Sequence, residues 1–320
     1  MSPPTLPPEL LSAIIENISD QHTLFQCALI SCAWYAATLP YLYATPNLVA
    51  DNLLLFASSL SQTTHGALVH KLDFTGPNIP HLIDEHHLID DALTRYTPNL
   101  HTLCLASSVS ISPQGLVSAL SSCSKSLRSL TLFKCLNLTR HSIHFIAESC
   151  PNLYCLNIWG LTHRGMVPSP LPAIATGCPL LQTLILSHCV HWVDDETVVK
   201  DVCSLRALTR LDISMCPQVS DVALVAIGEK LQRLESVAIN GMRNLTDVGF
   251  MALARGCPRI KRLDMTGVQV RLETVKAIGE CLTHLEKLDI RFTEGITTDV
   301  MVGVMPSKVE VEASEPEEED

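Results

Sequence analysis

The stretch LTRLDISMCPQVSD, residues 208–221, places a thiol at Cys216, five residues after Leu211. A thiolate attacks electrophiles or binds soft metals, but only where its pKa is lowered and partner groups stand close by. The chain carries 13 cysteines and 13 histidines. No two cysteines form a Cys-x-x-Cys pair, and no His-x-x-x-His lies beside cysteine partners. The histidines, His86 and His87 included, are scattered without triad spacing, and no glycine-rich phosphate loop is present. These residues predict no catalytic site, no metal and no cofactor. An odd, unpaired cysteine set predicts reduced thiols, and so a place in the cytoplasm and/or nucleus.

What positions Cys216 is a repeat. Leu-x-x-Leu-x-Leu recurs, with its central aliphatic residue at Leu72, Leu103, Leu130, Leu156, Leu184, Leu211, Val237, Leu263 and Leu288. Successive gaps are 31, 27, 26, 28, 27, 26, 26 and 25 residues, a period that fits a strand-plus-helix solenoid unit. Within a unit, Leu211 and Ile213 alternate as a strand does. Ser220 before Asp221, and Thr246 before Asp247, have the chemistry of helix N-caps. Helices are predicted over 221–231 and 247–256, with Gly256 suited to the helix end. The two interior prolines of GMVPSPLP (165–172), Pro168 and Pro170, predict a loop where a helix start is due. In the 31-residue gap, HLIDEHHLIDDALTRY has a helical pattern.

The cysteines fall into two columns of this repeat. Cys135, Cys189 and Cys216 share a slot filled elsewhere by Leu161, Met242 and Val268. Cys150, Cys178 and Cys257 stand three residues before the next strand's first aliphatic residue. Exchange with Leu, Met and Val predicts burial, the thiol serving as a small apolar filler with a weak hydrogen-bonding edge. The pattern resembles the cysteine-containing leucine-rich repeats. The resemblance implies an α/β solenoid of about nine repeats over residues 68–305, with parallel inner strands and outer helices. Strands ~4.8 Å apart and helices roughly 8–10 Å apart must then curve the stack.

Residues 5–43 lack this period. Leu10, Leu11, Ile14, Ile15 and Ile18 have helical spacing after Pro7 and Pro8, and two further helices are predicted around Leu24–Ile30 and Trp34–Tyr43. So short a segment cannot bury all its large apolar groups, and part of its surface is expected to dock. Leu6-Pro7-x-Glu9-Leu10-Leu11, Ile14, Ile18, Leu24 and Ile30-Ser-Cys-Ala-Trp34 resemble the F-box, here spanning residues 3–45. Cys32 departs from the family pattern, where a basic residue commonly stands. The resemblance implies a substrate receptor of the SCF ubiquitin ligases. Such a receptor binds a Skp-family adaptor and, through it, a cullin and a RING protein. It assigns adaptor contacts to Leu6, Pro7, Glu9, Leu10, Leu11, Ile14, Trp34, Leu42 and Tyr43. A helical cap for the solenoid, or an interaction scaffold outside ubiquitin transfer, are the alternatives.

A linking helix or cap is expected over residues 46–67 and a disordered acidic tail over 306–320. The tail holds seven acidic side chains and one lysine, leaving −5 of the formal charge of −11 for the rest of the chain. Neither value suits nucleic acid, which requires a basic stripe. No run of 18 apolar residues predicts a membrane span. The variable strand positions predict a substrate face of Phe133, Lys134, Trp159, His188, Arg210, Arg262, Lys287 and Arg291. The three rings would make an apolar anchor. The cations would pair with an acidic or phosphorylated segment, although Asp212, Asp264 and Asp289 dilute their charge.

Overall fold

The computed structural model describes residues 6–76, 96–105, 111–301 and 303–315. Most of the HLIDEHHLIDDALTRY segment, with His86 and His87, lies outside the described residues. The chain divides into two compact units, Met1–Leu127 and Arg128–Asp320.

The first unit begins with α1 (Pro8–Ile15), α2 (Gln21–Ala28) and α3 (Cys32–Ala44). Pro8 opens α1, where its missing N–H costs nothing. Asp20 caps α2 by accepting from the Thr23 N–H at 2.7 Å, and Ser31 caps α3 through the Trp34 N–H at 3.4 Å. α1 and α2 both pack on α3, closing a small core with Leu11, Ile15, Leu24 and Ala28. The Gln21 side chain ties this head to the following segment. Its amide donates to the Thr45 carbonyl at 2.7 Å, and its oxygen accepts from the Asn47 N–H at 3.0 Å. α4 (Ala50–Gln62) follows, then parallel strands β1 (Lys71–Asp73) and β2 (Thr102–Leu105) and helix α5 (Pro113–Leu120).

The second unit repeats one motif. Its strands and helices alternate as β3 (Ser129–Leu132), α6 (Arg140–Ser149), β4 (Cys155–Asn157), α7 (Leu171–Gly177), β5 (Thr183–Ile185) and α8 (Asp195–Lys200). They continue as β6 (Arg210–Asp212), α9 (Asp221–Lys230), β7 (Ser236–Ala238), α10 (Asp247–Gly256), β8 (Arg262–Asp264) and α11 (Leu272–Cys281). The last elements are β9 (Lys287–Asp289), the short α12 (Thr298–Met301) and β10 (Glu310–Glu312). Each strand pairs in parallel with the next from β3 to β9, and β9 with β10. This is the α/β leucine-rich-repeat solenoid expected from the sequence. The central aliphatic residues lie in one register from Leu130 to Leu288, all essentially excluded from water. The GMVPSPLP segment runs as a loop with one short 3-10 turn, Arg164–Met166, and α7 starts only at Leu171.

Ser220 and Thr246 cap α9 and α10 as expected, accepting from the Val222 and Val248 N–H groups. A second link joins successive repeats. Asp195, the first residue of α8, accepts from the Ser220 N–H (2.8 Å) and hydroxyl (2.6 Å) of the next repeat. Asp221 does the same for Thr246, at 2.8 and 2.5 Å. Gly256 ends α10, but packing selects it: a Cβ there would lie 2.2 Å from the Gly228 carbonyl oxygen of α9.

The expected disordered tail needs correction over residues 306–315. Glu310–Glu312 form β10, with Val311 opposite Leu288 as a tenth central position only 23 residues on. Alternating Val and Glu let one side of the segment pack, while the other finds cations on β9 and just beyond it.

Candidate functional site

Thiol chemistry is disfavoured by geometry. Cys135, Cys189 and Cys216 are fully buried, and the last two thiols donate to the Ile158 and Leu186 carbonyls, at 3.3 and 3.4 Å. Cys178 likewise donates to the Cys150 carbonyl at 3.4 Å. Burial pushes the Cys216 and Cys257 thiols up to about 12, and Cys178 and Cys203 to about 11. A nucleophilic cysteine needs the opposite shift. The Cys178, Cys189, Cys216 and Cys257 thiols each sit in a buried slot and donate to a carbonyl of the repeat before. Among the described residues, no three His, Cys, Asp or Glu side chains are placed to hold a metal, and no helix is long and apolar enough to cross a membrane.

Two surfaces remain. On the head, α1 turns Leu11 and Ile15 inward and leaves Leu10 and Ile14 outward, four residues apart along one stripe, with Leu6 exposed just before the helix. Leu10 is 52% exposed and Leu11 only 2%. Leu11 is a core residue, so its expected adaptor contact is corrected. Pro7 and Glu9 are exposed beside the stripe. Phe25, Leu29, Ile30 and Tyr35 add exposed apolar surface on α2 and α3. Trp34 and Leu42 are half-buried. Tyr43 turns toward the chain's own neighbours, its ring centroid 4.9 Å from His65 and 6.0 Å from Phe56.

The second surface is the open face of the β3–β10 sheet. Phe133 and Trp159 stack with centroids 4.4 Å apart and planes 14° apart, and His188 follows 4.5 Å from Trp159. The Lys134 ammonium lies 5.0 Å from the Trp159 ring. The three rings expected to lie near one another do so, and Lys134 joins them in one continuous cluster.

The spacing hides a constraint that sequence reasoning missed. Four residues after each central aliphatic position from Leu130 to Leu288 the backbone turns left-handed, at Lys134, Gly160, His188, Met215, Gly241, Gly267 and Phe292, with φ between 53° and 71°. The first six donate their N–H groups to a carbonyl of the next repeat, at 2.8–3.0 Å. Phe292 donates instead to the Ser314 hydroxyl oxygen at 2.8 Å. Glycine fits this slot without strain, whereas a bulky residue there is an outlier. Gly160, Gly241 and Gly267 at constant phase were the available signal.

The predicted cations separate into two pairs. Arg210 and Arg262 stand in one register column with Ser236 between them. Both are exposed, and neither has an ion-pair partner among the described residues. With Tyr154, Thr183 and Thr209 they line a groove of about 440 Å³ that also holds Glu286 and the Lys261–Glu235 ion pair. Lys287 and Arg291 are occupied. Lys287 pairs with Glu312 and lies 3.4 Å from Glu310. Arg291 grips Asp289 at 2.5 Å and Glu312 at 3.2 Å. The hydrogen bond to Glu312 raises the Lys287 pKa, and that to Asp289 raises Arg291. Burial works against the Asp289 carboxylate, yet bonds from Arg291 hold its pKa below 3.8. The aspartates expected only to dilute charge also make turns: Asp212, Asp264 and Asp289 accept from the N–H two residues on.

Stacked Leu-x-Leu strands and helices, with three short helices at the start of the chain, define a leucine-rich-repeat protein with an apolar helical head. Its relatives are F-box proteins. The chain is 28% identical over 156 residues to F-box protein SKIP1 of Arabidopsis thaliana, covering 43% of this chain and 51% of that protein. It is 27% identical over 131 residues to F-box/LRR-repeat protein 4 of Bos taurus, covering 40% of this chain and 20% of that one. The chain therefore spans about half the length of the first relative and a fifth of the second. No protein-family model matches. Among solved structures, the yeast Rad7–Elc1 complex aligns over 97% of this chain and 98% of its own, at 15% identity and a TM-score of 0.43.

Proposed function

We propose that the chain is the substrate-recognition subunit of an SCF-type ubiquitin ligase, acting in the cytoplasm or nucleus. The observation that carries this reading is the stripe of Leu6, Leu10 and Ile14, left exposed by a head whose core is already closed by Leu11, Ile15 and Leu24. A segment that only capped the solenoid would have no reason to keep that stripe in water. Similarity to F-box proteins supports a Skp-family adaptor as its partner, with cullin and RING protein joined through the adaptor.

The role is positional and non-catalytic. The head holds the shared machinery, and the open sheet face holds a protein substrate. Proximity then raises the effective concentration of a substrate lysine at the loaded conjugating enzyme. Phe133, Trp159 and His188 supply the apolar anchor, and Arg210 and Arg262 receive carboxylate or phosphate groups.

Affinity capture from cells with degradation blocked tests both halves. Leu10→Asp with Ile14→Asp should lose adaptor and cullin together and keep the substrate. Arg210→Glu with Arg262→Glu should lose the substrate and keep the adaptor. Adaptor captured without cullin would place the chain outside ubiquitin transfer. Retention of adaptor by the head variant would remove the reading.

A further inference from the structure

Strand β10 is unlike the other strands of its sheet. The described residues after it contain no helix, and α12 before it is four residues long. Val309 and Val311 are only half-buried, whereas the central leucine of β9 is fully buried. Apolar packing therefore holds this strand weakly. Its other attachments are polar. The Glu310 N–H donates to the Glu286 carbonyl at 2.8 Å, and the Ile290 N–H donates to the Glu312 carbonyl at 2.8 Å. Glu312 bridges Lys287 and Arg291, and Glu310 reaches Lys287. The Ser314 hydroxyl takes the place that a carbonyl fills in every other step of the left-handed column.

We propose that the edge of β9 is a docking site for an extended acidic strand of a partner protein, and that residues 309–314 occupy it in cis. The site reads two features together. The backbone edge accepts a parallel strand, and Lys287 with Arg291 selects carboxylates two residues apart on one side of it. Ion pairs that stay partly open to water, as Lys287–Glu312 and Arg291–Glu312 do, are screened and individually weak, so the tethered strand exchanges with a competing segment of the same chemistry. Its tether gives it an effective concentration of roughly millimolar, which sets the competition a partner must overcome. This inference does not depend on the adaptor reading.

The test uses the full chain and a labelled, end-capped peptide VEVEAS, identical to residues 309–314. Glu310→Gln with Glu312→Gln weakens the cis strand and leaves the cations in place. The variant should bind VEVEAS about tenfold or more tighter than the unmodified chain, and VQVQAS should not bind. Amide exchange at Ile290 should speed up in the variant while that at Leu186, bonded to Asp212, stays unchanged. Ser314→Ala, which removes only the acceptor for Phe292 and no charge, should shift binding in the same direction. Equal affinity for unmodified and variant chains, or equal binding of VQVQAS, overturns the proposal. A dimer of the unmodified chain that Lys287→Glu abolishes would make a second copy the occupant and overturn the acidic partner.

Discussion

Cys216 shows how a reactive residue type becomes inert packing: an apolar slot, a carbonyl within reach and a thiol pKa pushed up to about 12. The unfolded chain loses that proton near the ordinary 9.0, so the folded state binds more protons above that pH. Stability is then complete below about pH 9 and falls as pH rises toward about 12. Cys216→Val places the side chain of Val268 in the same slot and should remove about 1 kcal/mol of the loss between pH 8 and 10. Urea melts at the two pH values measure it, and an unchanged slope would contradict the burial argument. Phe292 carries the opposite lesson, being 78% exposed in a left-handed backbone. Phe292→Gly should raise stability by about 0.5–1 kcal/mol, read by thermal melt. The cysteine columns were legible because Leu, Met and Val share their slot. Strain at Lys134, His188, Met215 and Phe292 was not, because those residue types argue against a left-handed turn.

Helices α9 and α10 approach until backbone meets backbone. Gly256→Ala would set a Cβ 2.2 Å from the Gly228 carbonyl oxygen, which cannot retreat as a flexible side chain would. It should cost about 2–3 kcal/mol, read as a lower urea midpoint. Gly267→Ala meets nothing within 4 Å and strains only its own turn, for about 1 kcal/mol. Equal effects would show that helix contact is not what selects Gly256. The strands, the caps at Ser220 and Thr246 and the three head helices could be read from period and capping chemistry. Strand β10 could not. Its Val-Glu-Val-Glu alternation was masked by the acidic residues around it, and its order rests on pairing with β9 and on the cations at Lys287 and Arg291, both far away in the sequence. The same fact pairs two of the five predicted substrate-binding cations, Lys287 and Arg291, with carboxylates of the chain itself.

At the scale of the whole molecule, the two proposed docking surfaces lie on separate compact units, the helical head within Met1–Leu127 and the open sheet face within Arg128–Asp320. Helical spacing grouped Leu10, Leu11, Ile14, Ile15 and Ile18 together, and only the resemblance to the F-box singled out Leu6, Leu10 and Ile14 as contacts. Which of the paired leucines turns inward depended on how α1 packs against α3. The account requires that the two surfaces fail independently, so that charge reversal at Arg210 and Arg262 leaves adaptor affinity unchanged. Its most direct test is titration of a purified Skp-family adaptor into the full chain and into a Leu10→Asp, Ile14→Asp variant. The account predicts a loss of about 100-fold or more, the scale of two desolvated anchors, with an unchanged melting temperature. Equal affinity in the two proteins would contradict it.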